Sequence, residues 1–217
     1  MQRRGVHEEN TSEGLVCGYV LAGGGSTRFG RDKALVEMDG APMLLRMRAL
    51  LGEITKQVNV IAAPNKYSAL GITGVGDRWD AQGPLAGIIT ALLTTLETGS
   101  EARWNLIVGC DMPFLTREWL IYLVARALAS SAEVVAPQSA QGLEPLCACW
   151  RTDAAAKLQN AFDEGVRKIT EAMKRLQTEI LDEADWERFD TAGRLFWNMN
   201  TAADYDEAKR IVEAQRA

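Results

Sequence analysis

The chain has 217 residues, 47% of them hydrophobic, which is enough to bury the core of one fairly large domain. Its formal net charge of −5, with both signs dispersed and no basic block, excludes an electrostatic footprint for nucleic acid, so an anionic ligand must meet local positive charge. Cys17, Cys110, Cys147 and Cys149 form no C-x-x-C pair, no secretory signal is present, and no apolar run approaches the roughly 20 residues of a bilayer span, so the chain is expected in a reducing cytoplasm, off the membrane.

Residues 1–14 are polar and read as a flexible N-terminal tail ahead of a single domain over 15–217. The only histidine, His7, falls in that tail, which sets aside Ser-His-Asp, Cys-His and histidine–metal chemistry. Carboxylates, amines, backbone amides and a hard metal ion remain, the usual means of phosphoryl and nucleotidyl transfer.

In chain order, the apolar run 16–21 predicts a buried strand that stops at Gly23, Gly24 and Gly25. Asp39-Gly40 marks a turn, Pro42 suits the first position of a helix to about residue 53, and 58–63 predicts a second strand. A third strand is expected at 72–75, then a helix from Gly83-Pro84 to about 96, and a fourth strand at 105–108. Thr116 can cap a helix ending near 129, and a fifth strand follows at 133–136. The later elements are weaker: a strand over 143–150, helices over 153–162 and 166–176, a strand at 179–181, and a last helix capped by Thr201 that reaches about 214. Strand and helix alternate, which implies a mostly parallel, partly mixed sheet with helices on both faces.

Consecutive glycines after a strand let successive backbone N–H groups curl around an anion. The loop is not a Walker A motif, because Arg31 and Asp32 follow Gly30 where Lys and Ser or Thr are required. It is not a dinucleotide fingerprint either, since Arg28 takes the third glycine position and no acidic residue stands ~20 positions on. Arg28, Arg31 and Lys33 add side-chain cations suited to a triphosphate. Asp111, after the fourth strand, falls where open α/β sheets bind ligands and can hold Mg²⁺ beside phosphate oxygens, with Thr116 left to cap the next helix. Gly83, Ala86 and Gly87 either let a base approach the backbone or ease helix-to-sheet packing. Asn198 and Asn200, two apart, present their amides to one side if the backbone is extended, or else are turn residues.

The segment LAGGGSTRFGRDKA, residues 21–34, resembles the signature of the molybdenum cofactor guanylyltransferases, the MobA family, roughly L-A-G-G-x-S-x-R-M-G-x-D-K-A, with Phe29 in place of Met. Cys110 to Leu115 reproduces its C-D-M-P-F-L motif, and segments at 144–146, 165–167 and 198–201 extend the likeness over nearly the whole chain. The resemblance implies a three-layer α/β/α, Rossmann-like nucleotidyltransferase fold and a reaction joining GMP from GTP to the terminal phosphate of molybdopterin. It implies nucleotide contacts from Leu21, Ala22, Gly23, Gly24, Gly25, Lys33, Asp77 and Asp111, with Lys33, Arg28 and Asp111 catalytic and Asp111 also binding Mg²⁺. Asn198, Asn200 and Arg167, with Lys168, would face the acceptor, and cofactor-delivery or molybdoenzyme-maturation proteins would be partners. The family's base-reading residue after the second strand is replaced here by Ala62 or Ala63, which leaves CTP, or a sugar phosphate as acceptor, as alternatives. A non-catalytic nucleotide-binding or delivery module is the other alternative.

Overall fold

The computed structural model describes residues 14–22, 32–79, 82–190 and 192–214. β1 (Val16–Leu21) is buried along its whole length and lies between β4 (Val58–Ile61) and β5 (Trp104–Gly109), parallel to both. Its almost continuous apolar run is what a strand covered on two faces requires. Beyond β5, β8 (Cys147–Arg151) runs antiparallel, followed by β6 (Val134–Ser139). β6 pairs in parallel with β9 (Thr178–Leu181) and antiparallel with the short β7 (Gly142–Leu143). The sheet is therefore mostly parallel, with β7 and β8 reversed.

Successive residues of the central strands serve opposite faces. Val16 and Val20 of β1, with Leu106 and Val108 of β5, pack with α1 (Met43–Gly52) and α3 (Arg117–Ala129). Trp186 of α6 (Glu183–Trp186) and Ala208 of α7 (Ala202–Ala214) join that side. Tyr19, Leu21 and Ile107 pack with α2 (Pro84–Glu97), α4 (Ala155–Asp163) and α5 (Ile169–Met173). Helices on both faces of one sheet make the expected three layers. A small hairpin, β2 (Glu37–Met38) against β3 (Ala41–Pro42), turns through Asp39 and Gly40, whose φ values of 59° and 78° are those of a tight primed turn.

Several elements differ from expectation for local reasons. Pro42 is the cap of α1, one place earlier than anticipated, because it is engaged in β3. Residues 72–75 form no strand but one bridge, Ile61 to Val75, since Gly74 donates instead to the Pro64 carbonyl. The expected strand over 143–150 is split: Glu144 bonds to the Pro137 carbonyl, and Pro145 has no N–H for a ladder. The helix expected over 166–176 is reduced to α5, because Gly165, at φ 95°, and Val166 close off the end of α4.

The layer beneath α2 contains a buried polar chain. Tyr19 Oη lies 2.8 Å from Thr95 Oγ1, and Thr95 gives its one proton to Asn105 Oδ1 at 2.5 Å, so Tyr19 is the donor of the first bond. Asn105 Nδ2 donates to the Trp150 carbonyl and to Thr152 Oγ1, which in turn donates to the Ala102 carbonyl. Burial pushes the Tyr19 hydroxyl up to about 12, which keeps it protonated. Asn105→Ala strands several buried groups at once and is expected to lower unfolding stability by about 2–4 kcal/mol in urea titration, whereas a loss under about 1 kcal/mol would show the chain to be incidental.

Candidate active site

The parallel register sets Leu21 opposite Gly109, so the chain leaves β1 and β5 at the same level, and Cys110 donates its N–H to the Leu21 carbonyl at 3.3 Å. A pocket opens there, at the carboxyl ends of the strands, lined by Leu21, Ala22, Lys33, Asp77, Gly83 and Asp111 among others. This is where open α/β sheets place their ligands.

Lys33 begins a 3-10 turn, Lys33–Leu35, whose cap is Asp32, with Asp32 Oδ1 accepting from the Ala34 N–H at 3.0 Å. From that turn Lys33 Nζ reaches Asn200 Oδ1 at 2.9 Å and Asp111 Oδ2 at 3.4 Å. An ammonium has three protons, so a third remains for another acceptor in the pocket. Asn200 is held in turn: its N–H and that of Thr201 both donate to Asp204 at the start of α7, at 2.8 and 2.7 Å, and the Met199 N–H donates to the Asp111 carbonyl at 2.9 Å. The structure thus brings together three of the sequence-identified residues, the first and last of them 167 positions apart. Thr201 also caps α7 as expected, accepting from Asp204 N.

Asp77 lies on the opposite wall, its Oδ1 accepting from Trp79 N and from Thr90 Oγ1 of α2, both at 3.1 Å. Gly83, at φ 92°, and Gly87 line the pocket, while Ala86 is turned into the core. A Cβ on Gly87 would stand 2.7 Å from Leu21 Cδ2, so its small size serves helix-to-sheet packing as well as the pocket. Ala62 is buried, with its N–H donated to the Val75 carbonyl. Asn198 does not share the position of Asn200: its Nδ2 donates to the Phe196 carbonyl, a local turn. Arg167 takes other partners than the Lys33 cluster, donating to Gln82 and to the Phe162 carbonyl and lying 3.9 Å from the Phe162 ring centre. Gly23, Gly24, Gly25 and Arg28, like His7, lie outside the described residues.

Sequence reasoning missed the polar residues around this cluster. Asp32 lines the pocket, and Lys66 and Tyr67 contact it from the segment after β4. Glu144 accepts from Ser139 Oγ at 2.7 Å, and burial, together with the charge of Asp111, raises its pKa above the usual carboxylate range. Burial and the charges of Asp111 and Asp32 push the Cys110 thiol up to about 12, so it is a neutral wall group and no nucleophile. Among the described residues no three His, Cys, Asp or Glu side chains form a metal cage. The Asp111 carboxylate, partly exposed in the pocket wall, suits a cation that takes its remaining ligands from phosphate and water.

The description "MobA-like NTP transferase domain" matches residues 18–178. The chain is 28% identical over 203 residues to the molybdenum cofactor guanylyltransferase of Desulfosudis oleivorans, covering 93% of this chain and 98% of that one. It is 33% identical over 192 residues to a probable molybdenum cofactor guanylyltransferase of Mycobacterium tuberculosis, covering 87% and 90%. The crystal structure of molybdopterin-guanine dinucleotide biosynthesis protein A from Archaeoglobus fulgidus shares the fold, with a TM-score of 0.75 at 24% identity over 91% of this chain and 98% of that one.

The raised pKa of Glu144 has a stability consequence. Well below the ordinary carboxylate range the side chain is protonated in folded and unfolded states alike. As pH rises above that range the unfolded chain ionises first, so the folded state loses stability until the raised folded pKa is passed. Glu144→Gln removes that loss, and its stability relative to the parent is expected to increase as pH rises through the ordinary carboxylate range in urea unfolding; a flat or falling difference contradicts the assignment.

Proposed function

The chain belongs to the MobA-like NTP transferase family, and from that membership we propose that it is a nucleotidyltransferase moving GMP from GTP to the terminal phosphate of molybdopterin. The observation that carries this reading is Lys33 Nζ poised between Asp111 and Asn200 in the pocket at the ends of β1 and β5.

A terminal phosphate oxygen of the acceptor attacks the α-phosphorus of GTP. The bond from that phosphorus to the bridging oxygen breaks, and the electron pair leaves on pyrophosphate. The attacking group is already an anion, so no side chain has to remove a proton, which suits a pocket whose thiol stays neutral. Lys33 donates to the phosphate oxygens and favours the charge that builds on the leaving group. Leu21, Ala22 and Asp77 contact the nucleotide, and the backbone of Gly23, Gly24 and Gly25 with Arg28 completes the phosphate cradle. Asp111 would hold Mg²⁺, which would neutralise phosphate charge when bound. Asn200, bonded to Lys33, contacts the acceptor, and Asn198 and Arg167 are its further acceptor contacts.

The same proposal includes one domain over 15–217 behind the tail 1–14, action in the cytoplasm, and exchange of the pterin with delivery and maturation proteins. No helix among the described residues is long and apolar enough to cross a membrane.

The test is pyrophosphate release with molybdopterin and each of GTP, CTP, ATP and UTP. GTP alone is expected to support it efficiently; a CTP preference would move the enzyme to cytidylyl transfer, and binding without release to a non-catalytic module. Lys33→Ala is expected to lower turnover about 10²–10³-fold without changing thermal unfolding, and unchanged kinetics would remove Lys33 from the mechanism.

A further inference from the structure

Tyr67 is almost wholly buried among core side chains, yet its hydroxyl is aimed at two polar groups of the pocket wall. Tyr67 Oη stands 2.9 Å from the Ala22 carbonyl oxygen and 3.1 Å from Asp32 Oδ2. Both neighbours are acceptors, so the single phenolic proton is shared between them. Ala22 directly follows β1, and Asp32 is the cap of the Lys33 turn. Lys66, one place earlier, supplies the other side of the arrangement: its Nζ lies 2.8 Å from Asp32 Oδ2 and 5.1 Å from the Tyr67 ring centre. With the Ala34 N–H, three donors converge on the Asp32 carboxylate. Burial first, then the Asp32 charge, raises the Tyr67 hydroxyl well above its ordinary value, which keeps its proton in place.

We propose that Tyr67, assisted by Lys66, is a positioning residue that fastens Asp32 to the end of β1 and thereby aims Lys33 at Asp111 and Asn200. Tyr67 touches none of the reacting atoms and acts only through the cap of the 3-10 turn. The catalytic part of this assignment rests on the nucleotidyltransferase reading, whereas the aiming of Lys33 does not. The segment after β4 braces the ring from its own backbone, since Lys66 N bonds back to the Ala63 carbonyl and the Tyr67 carbonyl accepts from Leu70 and Ile72.

The test compares the full chain with Tyr67→Phe, which removes one oxygen and keeps the ring, and with Lys66→Met, which removes the charge from a partly exposed position. Amine labelling of Lys33, quantified by mass spectrometry against exposed Lys174 in the absence of nucleotide, reads the aim of the side chain directly. Labelling of Lys33 is expected to rise several-fold in both variants with folding intact. Turnover of Tyr67→Phe is expected to fall about tenfold, and the same change placed on Lys33→Ala is expected to add nothing, because the two act as a unit. Unchanged Lys33 labelling in folded Tyr67→Phe overturns the proposal, as does an equal further loss of turnover on the Lys33→Ala background, which is what a merely structural tyrosine would give. If Tyr67→Phe does not fold, Lys66→Met alone decides by the same labelling readout. Failure of the parent chain to transfer GMP would sink the functional reading while leaving the labelling result to judge the latch.

Discussion

Parallel strands leave a sheet at the same end, and the register of β1 on β5 fixes how level that exit is. Leu21 faces Gly109 across the pair, so Ala22 and Cys110 emerge side by side and Asp111 follows at once. Any other register would separate the segment leading to Lys33 from the carboxylate it meets. The strand pair is in turn held by burial on both faces: alternate side chains of β1 enter different cores, and a slip of one residue would turn every one of them to the wrong side. The position of the pocket is thus a consequence of how the core is filled.

Within that frame the site is assembled by short local devices. The Asp32 cap sets the turn that carries Lys33, Asp204 holds the backbone that carries Asn200, and Thr90 with Trp79 N fixes Asp77 on the far wall. Lys33 and Asp77 of the pocket wall, and Asn200 bonded to Lys33, are each held from behind by a polar group. Positioning of this kind matters for phosphate chemistry, because rate there comes from alignment and from charge already in place, and both degrade if side chains must be ordered during the reaction.

The central elements were legible because their signals are local. The buried run of β1, Pro84 at the start of α2, the Thr116 cap of α3 and the Thr201 cap of α7 each sit in the few residues they govern. Lys33 and Asp111 were legible because glycine-loop and strand-end chemistry marks them, and the resemblance to a known family assigned them roles. The elements misread were those decided by distant partners. Val75 looked like part of a strand, yet its neighbour Gly74 bonds to Pro64, and the apolar run through Leu146 is broken because Glu144 turns to Pro137. Tyr67 and Lys66 carry no motif, and Glu144 stands in a family-like segment without an assigned role; all three gain their place only when the segment after β4 and the β7–β8 connection fold against the pocket. Arg167 and Asn198 do not share the bonds that join Asn200 to Lys33: Asn198 donates to the Phe196 carbonyl, and Arg167 donates to the Phe162 carbonyl and to Gln82.

The central claim is that this pocket binds a metal–nucleoside triphosphate through Lys33 and Asp111. Calorimetric titration of GTP into the parent chain and into Asp111→Asn, with and without Mg²⁺ at one ionic strength, tests it most directly. The parent is expected to bind GTP more tightly with Mg²⁺, and Asp111→Asn to lose that enhancement while keeping its fold. Equal Mg²⁺ enhancement in both proteins, or no binding by the parent under either condition, would contradict the account.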